Sequence, residues 1–308
     1  MTHQCFFPIH MGIKSIEFLA DLSLLFVALV WGSTFIVVKQ SVETIPVFCF
    51  LFMRFVLAGI FLIPISAPKW KAIDRGVLTD GLMLGTALFL AYAFQTFALT
   101  VTSASITAFV AGLFVIFVPI LSSLYLKKLP RKETLLGVMF ATIGLGLMTL
   151  QDRFFLSFGE FLALLCAFFV AIHIILTDKF SRRNDFTLLT LVQIHVVALL
   201  SLIFSLFLDL HVFPAQFDHQ LIFSLLLNSI LATVVAFVIQ TGMQKHTTPT
   251  KAAIVLLMEP VSSVFFSYWI GGELLSTRQY LGTFSILLAM VAAEAGTYVK
   301  MKREAAHV

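Results

Sequence analysis

The 308-residue chain is 60% hydrophobic and only 12% charged, with a mean hydropathy of +1.02. Soluble globular chains are about a quarter charged, so this much apolar surface excludes a water-soluble domain and makes lipid the solvent. The net charge of +4 is not a nucleic-acid footprint, because its distribution follows membrane topology instead.

A membrane helix needs about 20 largely apolar residues. Ten such runs are expected: 20–38, 46–66, 78–98, 103–125, 134–150, 158–177, 186–208, 220–243, 251–270 and 279–299. The first has no small-residue cleavage site behind it and reads as a span, not a removable signal peptide. Polar punctuation divides the rest, as in Ala67-Pro68-Lys69-Trp70-Lys71, Lys127-Lys128-Leu129-Pro130-Arg131-Lys132 and Ser181-Arg182-Arg183-Asn184-Asp185. With the N-terminus inside, sixteen of the 20 Lys and Arg residues fall on the inner side. Lys39, Arg153 and Arg278 fall outside and Arg54 lies within a span. Positive charge sets orientation, so both termini are expected to be cytoplasmic, at the inner membrane. Cys5, Cys49 and Cys166 are far apart in apolar settings and suggest neither a disulfide framework nor a metal site.

The chain also repeats itself. Gln95-Thr96 aligns with Gln240-Thr241 at an offset of 145, and the same offset pairs Thr102 with Thr247, Ser122 with Ser267 and Leu136-Gly137 with Leu281-Gly282. A duplicated five-span unit follows. Five is odd, so the second copy enters the membrane from the opposite side, as in transporters whose substrate sites lie between inverted repeats. The fold expected is an all-α membrane protein of ten transmembrane helices in two inverted five-helix repeats. A cytoplasmic segment 1–19 precedes repeats at 20–150 and 158–299, and a cytoplasmic tail 300–308 follows.

On these residues the chain resembles the EamA-type drug/metabolite transporters. The motifs are Val30-Trp31-Gly32-Ser33-Thr34-Phe35, Arg54-Phe55, Thr102-Ser103-Ala104-Ser105 through Phe117-Val118-Pro119-Ile120, Ala236-Phe237 to Gln240-Thr241, Glu259-Pro260-Val261 and Gly272-Glu273-Leu274-Leu275-Ser276. The first copy departs from the pattern with Lys128 where the second has Glu273, so that loop position is assigned no chemistry. The resemblance implies a ten-span inner-membrane carrier of small metabolites and says little about cargo.

Within the spans, Glu259 and Arg54 carry the chemistry. Each lies about eight residues into its run, roughly 12 Å deep at 1.5 Å per residue. An ionised acid at a helix centre costs about 2.5–3.5 kcal/mol on insertion scales, and such groups face a cavity or a partner. Pro260 withholds its N–H and frees the Leu256 carbonyl. The result is a polar notch suited to a proton, a cation or an ammonium group. In a core about 30 Å thick, Glu259 and Arg54 differ in depth by only about 6 Å and are expected to pair directly or through substrate. The structural alternative has Arg54 snorkelling outward and Glu259 neutral against a neighbouring helix. Further candidates are Trp31, Gln95, His173, Gln193, His195, Asn228 and Gln240. Gln95 and Gln240 are expected to line opposite vestibules or to bond helices, and a lone membrane histidine is more often a bridge than a relay. Gly32, Gly59 and Gly85 permit close helix approach. Asp21, Asp80, Glu160 and Glu294 lie near helix ends, where a solvated face is expected.

No G-x-x-x-x-G-K-[ST] loop is present, so ATP is not the direct drive. The expected function is secondary transport by alternating access of a small organic metabolite or drug-like solute, an amino acid or other zwitterion included, with a proton as the candidate coupling ion. No cofactor and no nucleic acid are expected; the partners are a small-molecule substrate, the lipid bilayer and protons, and the state is monomer or homodimer. The alternative is a membrane-embedded enzyme acting on a lipid or small molecule, for which no H-E-x-x-H or nucleophile–base pair is seen.

Overall fold

The computed structural model describes residues 13–126, 132–149, 157–209, 214, 216–272, 274, 276–278, 280–282, 284–285 and 288–289. Among them there are helices and no strands. In chain order the helices are α1 (Ile13–Val42), α2 (Val47–Ser66), α3 (Arg75–Val101), α4 (Ala104–Ala111), α5 (Phe114–Leu126), α6 (Lys132–Thr149), α7 (Phe158–Ser181), α8 (Phe186–Phe204), α9 (His219–Leu226), α10 (Ala236–Met243), α11 (Pro249–Leu256) and α12 (Met258–Gly271).

Local chemistry explains their ends. Asp74 caps α3 by accepting from Val77 N–H at 2.8 Å, Ser103 caps α4, and Ser157 with Glu160 forms a reciprocal capping box on α7. Pro46 gives α2 no side-chain cap. Asp209, far along the chain, instead accepts from Cys49 N–H at 2.7 Å, placing a carboxylate at the positive end of α2. Gly272 ends α12 in the left-handed region at φ 67°, where a Cβ would be strained.

Eight helical stretches among the described residues are long and apolar enough to cross a membrane, and Leu135–Gly144 is a shorter apolar one at the expected fifth span. The tenth expected span, 279–299, falls largely outside the described residues. Two expected spans are not continuous helices. The fourth breaks between α4 and α5 at Gly112-Leu113, and the ninth breaks between α11 and α12 at Leu257. The offset of 145 that aligns the two halves carries the end of α4 onto the end of α11. The eighth span is interrupted differently. Residues Leu227–Val235, between α9 and α10, are π-helical, whereas the aligned part of α3 is a regular helix.

Helix α1 packs mainly on α12, and α3 packs on α7 and α8. At one end of the bundle four ion pairs gather: Lys69–Asp185 at 2.8 Å, Arg182–Asp178 at 2.6 Å, Lys251–Asp21 at 2.5 Å, and Arg183–Asp80. This corrects the expectation of solvated faces for Asp21 and Asp80, which are buried. Their partners come from segments more than 100 residues away, so an acid near a helix end could be buried against a distant base. Burial acts to raise the Asp185 carboxyl. The Lys69 ammonium and the Leu188 and Thr187 N–H groups outweigh it and hold that carboxyl below the usual carboxylate range. Its contribution to stability is therefore present above the ordinary range and lost as pH falls through the lowered folded value.

The Asp80 pair has an asymmetric consequence. The Asp80 side chain is 3% exposed and that of Arg183 is 56% exposed. Arg183→Ala leaves a buried carboxylate held mainly by the Asn184 amide at 2.6 Å, at a cost of about 3 kcal/mol. Asp80→Ala leaves a cation already in solvent and costs about 1–2 kcal/mol. Thermal unfolding of the detergent-purified variants checks the order; equal losses would refute the burial argument.

Candidate functional site

A cavity opens within the bundle. It draws Trp31, Thr34, Phe35 and Val38 from α1, Arg54 from α2, Tyr92, Gln95 and Thr96 from α3, His173 from α7, Phe237 and Gln240 from α10, and Leu256 and Glu259 from the broken ninth span. Both halves of the chain thus contribute.

Arg54 is 2% exposed. Its Nε donates to Thr233 Oγ1 at 3.0 Å and its Nη2 to the Tyr92 hydroxyl at 3.1 Å. The guanidinium also lies 4.6 Å from the Tyr92 ring centroid and 5.2 Å from that of Phe55, a cation–π setting that offsets lost hydration. Thr233 and Ser229 belong to the π-helical stretch. Thr233 Oγ1 donates to the Asn228 carbonyl, and Ser229 Oγ to the Arg54 carbonyl at 2.9 Å. A π turn loosens the regular carbonyl ladder, and the Trp31 indole N–H donates to the Ala232 carbonyl there at 2.8 Å. Arg54 is therefore bonded inward and does not snorkel.

Glu259 sits in the first turn of α12. The helix breaks at Leu257, before Pro260, so the proline stands where its missing N–H is tolerated. This corrects the picture of a continuous ninth helix kinked at Pro260, while the Leu256 carbonyl still lacks the ladder donor that residue 260 would supply. No ion pair joins Glu259 to Arg54 among the described residues, and the direct pairing expected from sequence is not seen. Both residues line the one cavity.

Gln95 and Gln240 also line this single cavity, not opposite vestibules, because the second half interleaves with the first. His173 is buried and its Nε2 lies 2.8 Å from Gln193 Oε1. Gln193 Nε2 donates in turn to Thr241 Oγ1 at 3.3 Å, which makes Nε2 of His173 the donor. Gln193 is thus behind the cavity wall, supporting His173. His195 stands apart. It is exposed, bonds the Leu191 carbonyl at 2.8 Å and does not line the cavity, since residues two apart on a helix face opposite ways. Asn228 is buried and bonds the Ser224 carbonyl. Tyr92, Thr233 and Ser229 escaped the sequence reading. The signal that could have found the last two is their spacing of four, which puts two hydroxyls on one face of an apolar span.

The sequence model of the EamA-like transporter family matches the chain twice, over residues 18–150 and 157–293. An uncharacterized transporter of Archaeoglobus fulgidus is 34% identical over 280 residues, 91% of this chain and 86% of that protein. The uncharacterized transporter YoaV of Bacillus subtilis is 22% identical over 272 residues, 86% of this chain and 93% of its own length. A solved crystal structure, described only as that of a protein, superposes with a TM-score of 0.73 at 17% identity, over 89% of this chain and 98% of that one. At that identity the likeness is one of fold.

Proposed function

The chain belongs to the EamA-like transporter family, and from that premise we propose that it moves a small organic metabolite or drug-like solute across the cytoplasmic membrane. It is a multi-pass membrane protein of two EamA repeats. In the reading proposed, ten spans form two inverted halves with both termini inside, and access to the central cavity alternates. The single observation that supports it best is the cavity itself. Six of the polar or aromatic residues singled out by sequence, from both halves of the chain, meet there: Trp31, Arg54, Gln95, His173, Gln240 and Glu259. A proton exchanged at Glu259 is the proposed drive, and facilitated exchange is the alternative. Flux of a metabolite panel into proteoliposomes, with and without an imposed pH gradient, tests the proposal. A solute that moves chemically unchanged supports it; chemical conversion of the solute would favour the enzyme reading.

The ion pairs give alternating access a candidate lock. With the N-terminus inside, the cavity reaches toward the outer ends of α1 and α3 through Val38 and Leu99. The inner end carries Lys251–Asp21, which ties α11 to α1, and Arg182, which donates to the Thr247 carbonyl. The pair must part if the cavity is to open inward. Asp21→Asn should therefore raise inner-side labelling of a cysteine placed at Gln240 about fivefold, the low end of typical coupling energies. The exchange of Asp21→Lys with Lys251→Asp should restore the parental labelling. Unchanged labelling in Asp21→Asn would rule out the lock.

A further inference from the structure

We infer that the cavity selects an amine-bearing organic cation, a primary or secondary ammonium on an aromatic or apolar body, over a zwitterion or a carboxylate. The inference rests on reading the cavity as the transport site. It comes from sorting the polar groups of the wall into those already bonded and those still open. Several donors of the wall are spent on the protein. The Trp31 indole N–H serves the Ala232 carbonyl, and the Thr34 hydroxyl serves the Trp31 carbonyl at 2.7 Å. His173 Nε2 serves Gln193. Arg54, 2% exposed, has its Nε bonded to Thr233 and its Nη2 to Tyr92 and lies against the Tyr92 ring, so a solute carboxylate meets a guanidinium already partly bonded and partly covered.

The acceptors are open. The Glu259 carboxylate lines the cavity and makes no hydrogen bond or ion pair with the described residues. The Gln240 amide lines it too, is 1% exposed, and its Oε1 has no hydrogen-bond partner. The Leu256 carbonyl lies across the proline from its missing donor. Gln95 and Thr96 offer donors and acceptors alike and do not tip the balance. A buried acceptor without a donor is unfavourable, so a ligand that supplies several N–H groups and a positive charge satisfies what the protein leaves unmet. The rings of Trp31 and Phe237, with centroids 5.1 Å apart, and of Tyr92 provide a surface for both an aromatic body and a cation. When Glu259 has released its proton, a carboxylate entering the same space meets it as a like charge.

Four probes that share one phenyl body separate the possibilities: 2-phenylethylamine, its N,N,N-trimethyl derivative, phenylalanine and 3-phenylpropionate. Binding is measured by titration calorimetry on the full chain in nanodiscs. The expected order has 2-phenylethylamine at least about tenfold tighter than phenylalanine or phenylpropionate, a difference of 1.4 kcal/mol. Glu259→Gln should lower amine affinity at least about tenfold, and Glu259→Asp should retain part of it. Gln240→Met should weaken the primary amine severalfold and leave the trimethyl derivative, which has no N–H, unchanged. Thermal unfolding of each variant shows that the fold is kept. Zwitterion or carboxylate binding as tight as the amine, an amine affinity unmoved by Glu259→Gln, or no binding of any probe would each overturn the inference. Solute flux in proteoliposomes without amine preference sinks this inference and leaves transport standing. Amine binding without movement leaves the inference and sinks transport.

Discussion

Glu259→Gln should reduce solute flux at least about tenfold and flatten its dependence on an imposed pH gradient. The substitution keeps the shape of the side chain and one carbonyl acceptor. It removes the charge and the exchangeable proton, so an effect on flux reports the ionisable group and not packing. Insertion and folding should survive, because a neutral amide at membrane depth costs less than an ionised acid, and no hydrogen bond or ion pair from a described residue to the carboxylate is lost. A tenfold loss corresponds to about 1.4 kcal/mol, modest beside the price of leaving a charge unpaired in the interior. The measurement is initial uptake into proteoliposomes over a range of outside pH, with protein amount normalised. Uptake and a pH profile equal to the parent's would remove Glu259 from the mechanism and leave the cavity to act by facilitated exchange.

Much of the architecture is legible from apolar runs and from where Lys and Arg fall between them, because the bilayer imposes both. The duplication is legible through Gln95-Thr96 and Gln240-Thr241, polar pairs that chance rarely repeats in register within apolar helices. Residues that are expensive in lipid announce themselves singly, and Arg54, Glu259, His173 and Gln240 line or reach one cavity. What they bond to is harder to read. Tyr92, Ser229 and Thr233 are ordinary in a span, and their roles arise only when α2, α3 and the π stretch converge. The π stretch itself has no Pro or Gly to mark it. Its Ser229 and Thr233 hydroxyls bond Arg54 of another helix, contacts that exist only once the two helices pack. The break at Gly112-Leu113 lacks the proline that flags its counterpart, so only the offset between repeats could have suggested it. Asp21 and Asp80 were misread because their partners, Lys251 and Arg183, are remote in sequence. His195 is only two residues from Gln193, and two residues of helix turn it to the opposite side.

Gly32→Val should both destabilise the protein and inactivate transport, while Gly59→Ala should do neither. The two glycines lie in the same bundle and differ in what a new Cβ would meet. At Gly32 it would overlap the Glu259 carbonyl and stand 2.5 Å from Ser262 Cβ and 2.8 Å from Ser263 N. Two of those three atoms are backbone, so no rotamer change relieves the contact and α12 must move away from α1. Ser262 Oγ donates to the Leu29 carbonyl at 2.8 Å in the same seam, and that bond is strained with it. Valine's better helix propensity returns less than about 1 kcal/mol, whereas overpacking costs about 1–3 kcal/mol, so sterics win. The displaced segment carries Glu259, and a shift of about 1 Å at a reacting or binding group can lower rates on the order of a hundredfold. At Gly59 the new Cβ would lie 3.1 Å from the His195 ring. That ring is the far end of an exposed side chain and can turn aside, which leaves a gain of roughly 0.5–1 kcal/mol from replacing glycine in a helix. Thermal unfolding and flux on the two variants decide the matter. Full activity in Gly32→Val, or equal damage from both, would mean that the close approach of α1 to α12 does not position the carboxylate.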